Sequence, residues 1–224
     1  MQEDTLKQFL PATESWFRKT FGEPTKIQRE AWPAIADGKH VLVSAPTGTG
    51  KTLSAFLVFI DQLGGLAERG ELKEELYVIY VSPLKSLAGD IRENLRKPLE
   101  GIGAEAPGES KAESRPGNPF IGQIQAAIRT GDTPQKERQR MVKHPPHILI
   151  ITPESLYLML TSKSGRQVLK TAKAIILDEL HALIDTKRGA HLMLSVARLD
   201  KLCGRRLQRI GLSATIEPLE LAAA

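Results

Sequence analysis

Two short strings hold most of the chemistry that residue type and spacing suggest. The first is Ala45-Pro46-Thr47-Gly48-Thr49-Gly50-Lys51-Thr52, set between an apolar run and a segment of helical period. Glycines let the backbone curl so that successive N–H groups face inward and bind phosphate oxygens, and a helix starting there adds its positive N-terminal end. In such a loop Lys51 reaches the outer phosphates of a nucleoside triphosphate and the Thr52 hydroxyl ligates Mg²⁺. Thr47, Gly48, Thr49, Gly50, Lys51 and Thr52 form the expected phosphate-binding set. The strict pattern opens on glycine and here has Ala45, a change that does not forbid the loop. The second string, Asp178-Glu179-Leu180-His181, closes the apolar run Ala174–Asp178. A carboxylate at the carboxyl end of a parallel strand sits on the rim where such sheets bind ligands. Asp178 would hold Mg²⁺, and Glu179 would orient and deprotonate an attacking water. Alone, an acidic pair ending a strand is as often a solvated terminus. The phosphate loop upstream makes it a candidate Walker-B site, with Glu179, Lys51 and Asp178 as the catalytic set.

The elements that must position these residues follow from the apolar pattern. His40–Ala45, Leu76–Ser82, Ile148–Thr152, Ala174–Asp178 and Arg209–Ser213 are short runs rich in Val, Ile and Leu, and Gln123–Arg129 is a weaker sixth. Near-continuous apolar character over so few residues predicts strands buried on both faces of a parallel sheet. Between them, Lys51–Leu63, Leu84–Leu95, Gln135–Val142, Glu154–Leu160 and Arg188–Leu202 carry helical spacing, with Thr152 and Pro153 as cap and first helical residue of one of them. The alternation predicts an α/β domain, a mostly parallel sheet with helices on both faces. Residues 1–39, holding both tryptophans and three of the phenylalanines, read as a helical extension. Residues 40–224 read as the α/β domain itself, and 98–119, rich in Pro and Gly, as a mobile insertion loop.

Composition is permissive. The 224 residues carry 31 basic and 26 acidic side chains, a net charge of +5, and one cysteine. A disulfide-built fold is excluded, and a reducing cytoplasmic compartment is expected. No apolar run reaches the roughly 20 residues of a membrane span. The mild basicity permits a polyanionic partner without requiring one. His144 and His147, and His181 and His191, lack the neighbouring ligands of a zinc site.

The strings Pro24-Thr25-Lys26-Ile27-Gln28, APTGTGKT, Ser82-Pro83-Leu84-Lys85-Ser86-Leu87, Thr130-Gly131-Asp132, Thr152-Pro153-Glu154-Ser155-Leu156, DELH and Ser213-Ala214-Thr215 occur in the order of the Q-motif and motifs I, Ia, TGD, Ib, II and III. The chain thus resembles a superfamily 2 DExH-box helicase. WPAIADGKHVLVSAPTGTGKT, RTGDTP, DELHALIDTKRGAHL and GLSATI give it the look of the Lhr-type, or large helicase-related, branch. The resemblance covers nearly the whole chain and implies a RecA-like P-loop NTPase domain. It implies ATP with Mg²⁺ as cofactors, an ATP-driven translocase on single-stranded DNA, and a role in repair. Gln28 would read adenine. Ser82, Pro83, Arg129, Thr130, Gly131, Thr152 and Pro153 would face the strand's phosphates, a backbone contact without sequence readout. Lys85, Lys187 and Arg188 would add charge, whereas Arg205, Arg206 and Arg209 read as a solvated face. His181 would couple the phosphate site to motif III through Ser213 or Thr215.

The family's engines have two RecA-like domains, the second supplying motifs IV to VI and arginine fingers, and no such string occurs in this sequence. The expectation is a monomeric first motor domain of a longer enzyme, nearly inactive without the second. Alternatives left open are a DExH RNA helicase domain, a nucleotide-dependent interaction module that does not hydrolyse, and, against the Ia, Ib and SAT elements, a P-loop kinase.

Overall fold

The computed structural model describes residues 4–46, 48–83, 95–103 and 123–214. After a 3₁₀ turn at Thr5–Gln8 come helices α1 (Pro11–Phe21) and α2 (Lys26–Ala36), strand β1 (Val41–Ser44) and the long helix α3 (Lys51–Glu68). Strand β2 (Val78–Val81) is followed by helical residues 95–103 (α4). Then come β3 (Ala126–Arg129), α5 (Gln135–Lys143), β4 (Ile148–Ile151), α6 (Pro153–Thr161), α7 (Lys163–Leu169), β5 (Ala174–Leu177), α8 (Lys187–Cys203) and β6 (Gln208–Ser213). The strands form one six-stranded sheet in the order β1-β6-β5-β2-β4-β3, every pairing parallel.

Side chains alternate across a strand, so each strand feeds two cores. Val43, Val78, Tyr80, Ile148, Ile150, Ile176 and Ile210 join the layer built with α1, α2, α3 and α4. Ile79, Val81, Leu149, Ile151, Ile175 and Leu177 join the layer built with α6, α7 and α8. This two-sided burial explains the near-continuous apolar runs. It also puts all six carboxyl ends on one rim, with the phosphate loop, the DELH turn and motif III on neighbouring strands β1, β5 and β6. Among the described residues no helix is long and apolar enough to cross a membrane.

Helices α1 and α2 precede β1, and their aromatics pack edge to face with Phe9: Phe9 and Phe17 lie 5.0 and 5.2 Å from Trp32. Helix α1 has no cap from its own N-cap residue; instead the Leu10 N–H donates to Asp61 of α3 at 2.8 Å. That contact explains one departure from expectation. Gly64-Gly65 reads as a helix stop after Leu63, yet α3 continues to Glu68 because its last turns are buried under the extension, with Leu10 beside Gly65. Tertiary packing here overrides the roughly 1 kcal/mol helix penalty of each glycine. A second departure is a correction. Residues 98–103, assigned to the insertion loop, belong to α4, because Leu95, Leu99 and Ile102 form an apolar seam at helical spacing. The rest of that loop, and helix 84–95 up to residue 94, lie outside the described residues.

At the opposite edge of the sheet His147 joins two strands. Its Nδ1 accepts the Gln125 N–H at 2.8 Å just before β3, while burial, the largest influence, pushes the imidazole below its ordinary value. A histidine depressed in this way binds protons more readily when unfolded. Its stabilisation is therefore complete above the unfolded value and is lost as pH falls through the folded one. Thermal unfolding followed by circular dichroism should show a falling Tm as pH drops below about 6.5. His147→Asn, which keeps an acceptor near that position, should flatten this slope; an identical slope in the variant would assign the effect to other groups.

Candidate nucleotide and nucleic-acid site

The phosphate loop is shaped by backbone before side chains. Gly48 and Gly50 have φ of +82° and +83°, the left-handed region that glycine enters freely. Gly50 is the N-cap of α3, and no side chain caps this helix, so the N–H groups of its first turn are open to an anion. A Cβ on Gly50 would stand 2.8 Å from Gln28 Nε2 and would displace the end of that side chain, while the positive φ itself disfavours any residue but glycine. Lys51 is buried and folds back to donate to the Ala45 carbonyl, while Thr49 Oγ1 donates to Pro46 O at 2.8 Å. Thr47 lies outside the described residues.

Gln28 reaches this loop from α2. It closes a capping box: its Oε1 accepts the Thr25 N–H at 2.9 Å and its own N–H donates to Thr25 Oγ1. Thr25-x-x-Gln28 is the capping-box signature itself. The Q-motif residue is therefore both a helix cap and a wall of the phosphate loop.

The acidic turn follows β5. Asp178 is buried, and both its oxygens are engaged, Oδ1 by the Glu179 N–H at 2.9 Å and Oδ2 by the Tyr80 hydroxyl at 2.5 Å. Burial raises its pKa, opposed by those two hydrogen bonds and by the charge of Lys51. Glu179 sits at φ 53°, ψ 42°, a left-handed conformation that costs a non-glycine residue about 1–2 kcal/mol. Strain of that kind at a turn aimed into a site motivates a functional reading. Leu180 settles over Gly211 of β6, where a Cβ would meet its Cδ1 at 2.6 Å.

His181 ties the turn to motif III. Its Nδ1 accepts the Ala214 N–H at 3.2 Å and lies 3.4 Å from Ser213 Oγ. A ring nitrogen that accepts from a backbone amide is unprotonated, so the proton sits on Nε2, 3.1 Å from Glu179 Oε2. Ser213 is thus in contact with His181; Thr215 lies outside the described residues.

The remaining rim, from β2, β4 and β3, carries the proposed strand contacts. Ser82, Pro83, Thr152 and Pro153 are buried. The Thr152 hydroxyl donates to Ser155 Oγ and accepts the Ser155 N–H, capping α6. Arg129 and Thr130 are half-buried and Gly131 is exposed. Burial, and then the nearby Arg138, lowers the pKa of Arg129. Arg188 forms a two-point pair with Glu154, at 2.7 and 3.2 Å, joining the starts of α8 and α6. Of the arginine cluster, Arg205 and Arg206 are exposed, as a solvated face requires, and Arg209 is half-buried. Arg205 donates to the Thr171 and Ala172 carbonyls and Arg209 pairs with Asp200 at 2.6 Å, closing the turn from α8 into β6. Lys85 lies outside the described residues.

Two residues are absent from the sequence reading. Arg138 of α5 reaches back to the TGD loop, donating to Thr133 O and Gly131 O at 2.7 Å each. Tyr80 reads as a strand aromatic, because period-two patterning does not reveal what a phenol touches across the sheet.

This arrangement agrees with what the chain is similar to. The DEAD/DEAH box helicase family matches residues 25–222. The ATP-dependent helicase Lhr-Core of Methanothermobacter thermautotrophicus is 49% identical over 213 residues, 95% of this chain and 24% of that protein. The Lhr helicase/uracil glycosylase of Escherichia coli is 46% identical over 93% of this chain and 13% of its own length. The solved structure of Mycobacterium smegmatis helicase Lhr bound to ssDNA and AMP-PNP superposes with a TM-score of 0.86 at 46% identity, covering 99% of this chain and 27% of that one. This chain therefore spans a quarter or less of the length of these curated relatives. On its motif order, all-parallel RecA-like sheet and these similarities, the chain belongs to the DEAD/DEAH box helicase family, in the Lhr-type branch of superfamily 2.

Proposed function

We propose that this chain is the ATP-binding first motor domain of a longer Lhr-type helicase that couples ATP hydrolysis to movement on single-stranded DNA. The observation that carries the reading is one connected series of polar contacts along the rim. It runs from Tyr80 through Asp178, Glu179 and His181 to Ser213. It joins the acidic turn to motif III.

The donor set fits Mg²⁺-ATP. Thr52 and Asp178 offer hard hydroxyl and carboxylate oxygens, and the uncapped start of α3 suits phosphates. Bound Mg²⁺ would neutralise charge on the β- and γ-phosphate oxygens. Lys51 would hold those phosphates, Glu179 would take the proton of the attacking water, and Gln28 would offer its Nε2 hydrogens and the second Oε1 lone pair to adenine. His181 would relay the state of Glu179 to motif III. Arg129, Thr130 and Gly131, with the capped start of α6, would meet the strand's phosphates. The ssDNA and AMP-PNP in the M. smegmatis relative support both halves of this assignment.

Binding of fluorescent ADP and of labelled oligonucleotides tests the proposal. The chain should bind Mg²⁺-nucleotide and bind ssDNA without sequence preference, log affinity falling with log salt by about 0.7 per phosphate contacted. Turnover should be slow, since an arginine finger from a second domain is worth roughly 10³–10⁵ in rate. Duplex unwinding by the 224-residue chain alone would overturn the first-domain reading. Stimulation by RNA but not by DNA of the same sequence would replace DNA with RNA as the track.

A further inference from the structure

Tyr80 has no place in the motifs, yet it stands at the head of the contact series. It pairs in register with Ile176 of β5, and Asp178 stands two residues further along that strand, on the same face. Diagonal neighbours on one face of a sheet are within reach of a long side chain. The phenol donates to Asp178 Oδ2. One turn beyond Thr52, Phe56 stacks on the Tyr80 ring at 4.8 Å and 14°. One face of α3 and one face of the sheet therefore clamp the ring, which is fully buried.

A packing role alone does not explain the hydroxyl. The surroundings are apolar, so phenylalanine would fill the space, and a phenol is costly to bury unless it is paired. Its partner is Asp178, the carboxylate expected at the metal end of the site. Asp178 has one oxygen anchored by the Glu179 N–H and the other by Tyr80, so the plane of its carboxylate is set before any ligand arrives. We propose that Tyr80 is a positioning residue that holds the Asp178 carboxylate in place for Mg²⁺. This rests on the reading of that rim as a Mg²⁺-nucleotide site. Partners behind metal-binding groups typically change metal affinity 10–100-fold when removed.

The test is Tyr80→Phe in the 224-residue chain, which keeps the ring and the stack on Phe56. Fluorescent ADP is titrated in EDTA and over a range of free Mg²⁺. The wild type should bind ADP and tighten with Mg²⁺. In Tyr80→Phe, affinity in EDTA should stay within about two-fold, while the Mg²⁺ needed for half-maximal tightening rises about ten-fold. In an Asp178→Asn background the same change should add nothing further, since Tyr80 acts through that carboxylate. Unchanged Mg²⁺ dependence in Tyr80→Phe overturns the proposal. So does a parallel loss in EDTA, which marks a structural role. A wild type that fails to bind ADP, or that ignores Mg²⁺, instead overturns the reading of the site itself, and this proposal with it. If Tyr80→Phe does not fold, the wild type labelled with fluorotyrosine decides. Its resonances are assigned by Tyr77→Phe and Tyr157→Phe, and Mg²⁺ added to the ADP complex should shift that of Tyr80. No shift overturns the proposal.

Discussion

Glu179→Gln should slow phosphate release by roughly 10²–10⁴-fold, the usual worth of a positioned general base, while leaving Mg²⁺-ATP affinity within about two-fold. Glutamine keeps the size and a carbonyl oxygen that can still accept from His181 Nε2, but it does not take a proton from water. The turn supports this role on three grounds. The carboxylate follows the strand that ends in Asp178, its backbone is held in the left-handed region, and one oxygen is fixed 3.1 Å from His181. The second oxygen is left for water. Single-turnover phosphate release, with the chain in excess over ATP, reads slow rates and separates them from binding. If Glu179→Gln hydrolyses at the wild-type rate, the base lies elsewhere; if it also loses nucleotide, the side chain helps to hold the ligand.

How much of this was legible in the residues differs between backbone and side chain. Strands β2, β4 and β5 announce themselves because each is buried on both faces and must be apolar throughout. The start of α6 is equally local, since Thr152 caps it and Pro153 opens it. Helix α7 escaped because seven residues, KSGRQVL, are too short to show a period, and Ser162 both ends α6 and caps α7. The end of α3 escaped because Gly64-Gly65 speaks against a helix locally, and only the docking of residues near Leu10 reverses it. Helix α4 was hidden beside a proline- and glycine-rich stretch that drowned its apolar seam.

The residues proposed for the site that a local motif carries, among them Gly50, Lys51, Thr52, Asp178 and Glu179, are legible in the sequence. The His181 link to Ser213 was also within reach, because β5 and β6 both end at the rim. Residues that act by reaching across elements were not. Tyr80 meets Asp178 only through strand register, and Arg138 meets the TGD loop only through the way α5 folds back. Nor does the sequence show that Ser82 and Thr152 are buried. A serine or threonine before proline reads alike whether it faces a ligand or caps a helix from beneath.

Lys51→Met should weaken Mg²⁺-ATP binding on the order of 100-fold or more, by removing two or so charge-assisted hydrogen bonds worth about 1.5–3 kcal/mol each. Methionine is close in length and unbranched, so it should preserve packing at this buried position while deleting the ammonium. The ammonium donates to Ala45 O, at the opening of the loop, and its charge helps keep Asp178 ionised against burial. Its loss therefore acts on three fronts: the phosphates lose a cation, the loop loses the strut across its mouth, and Asp178 is pushed further towards protonation. The last effect gives the prediction a signature. For Lys51→Met, any residual Mg²⁺-dependent binding should fall off at higher pH than in the wild type as the solution is acidified, because a carboxylate with a raised pKa loses its charge earlier. Lys51→Arg should not rescue binding, since a planar guanidinium is a poor substitute for a compact ammonium in an enclosed loop. Isothermal titration with Mg²⁺-ATP across pH would check all three statements. Wild-type affinity in Lys51→Met would show that the uncapped start of α3 suffices to hold the nucleotide, and that the lysine serves the loop alone.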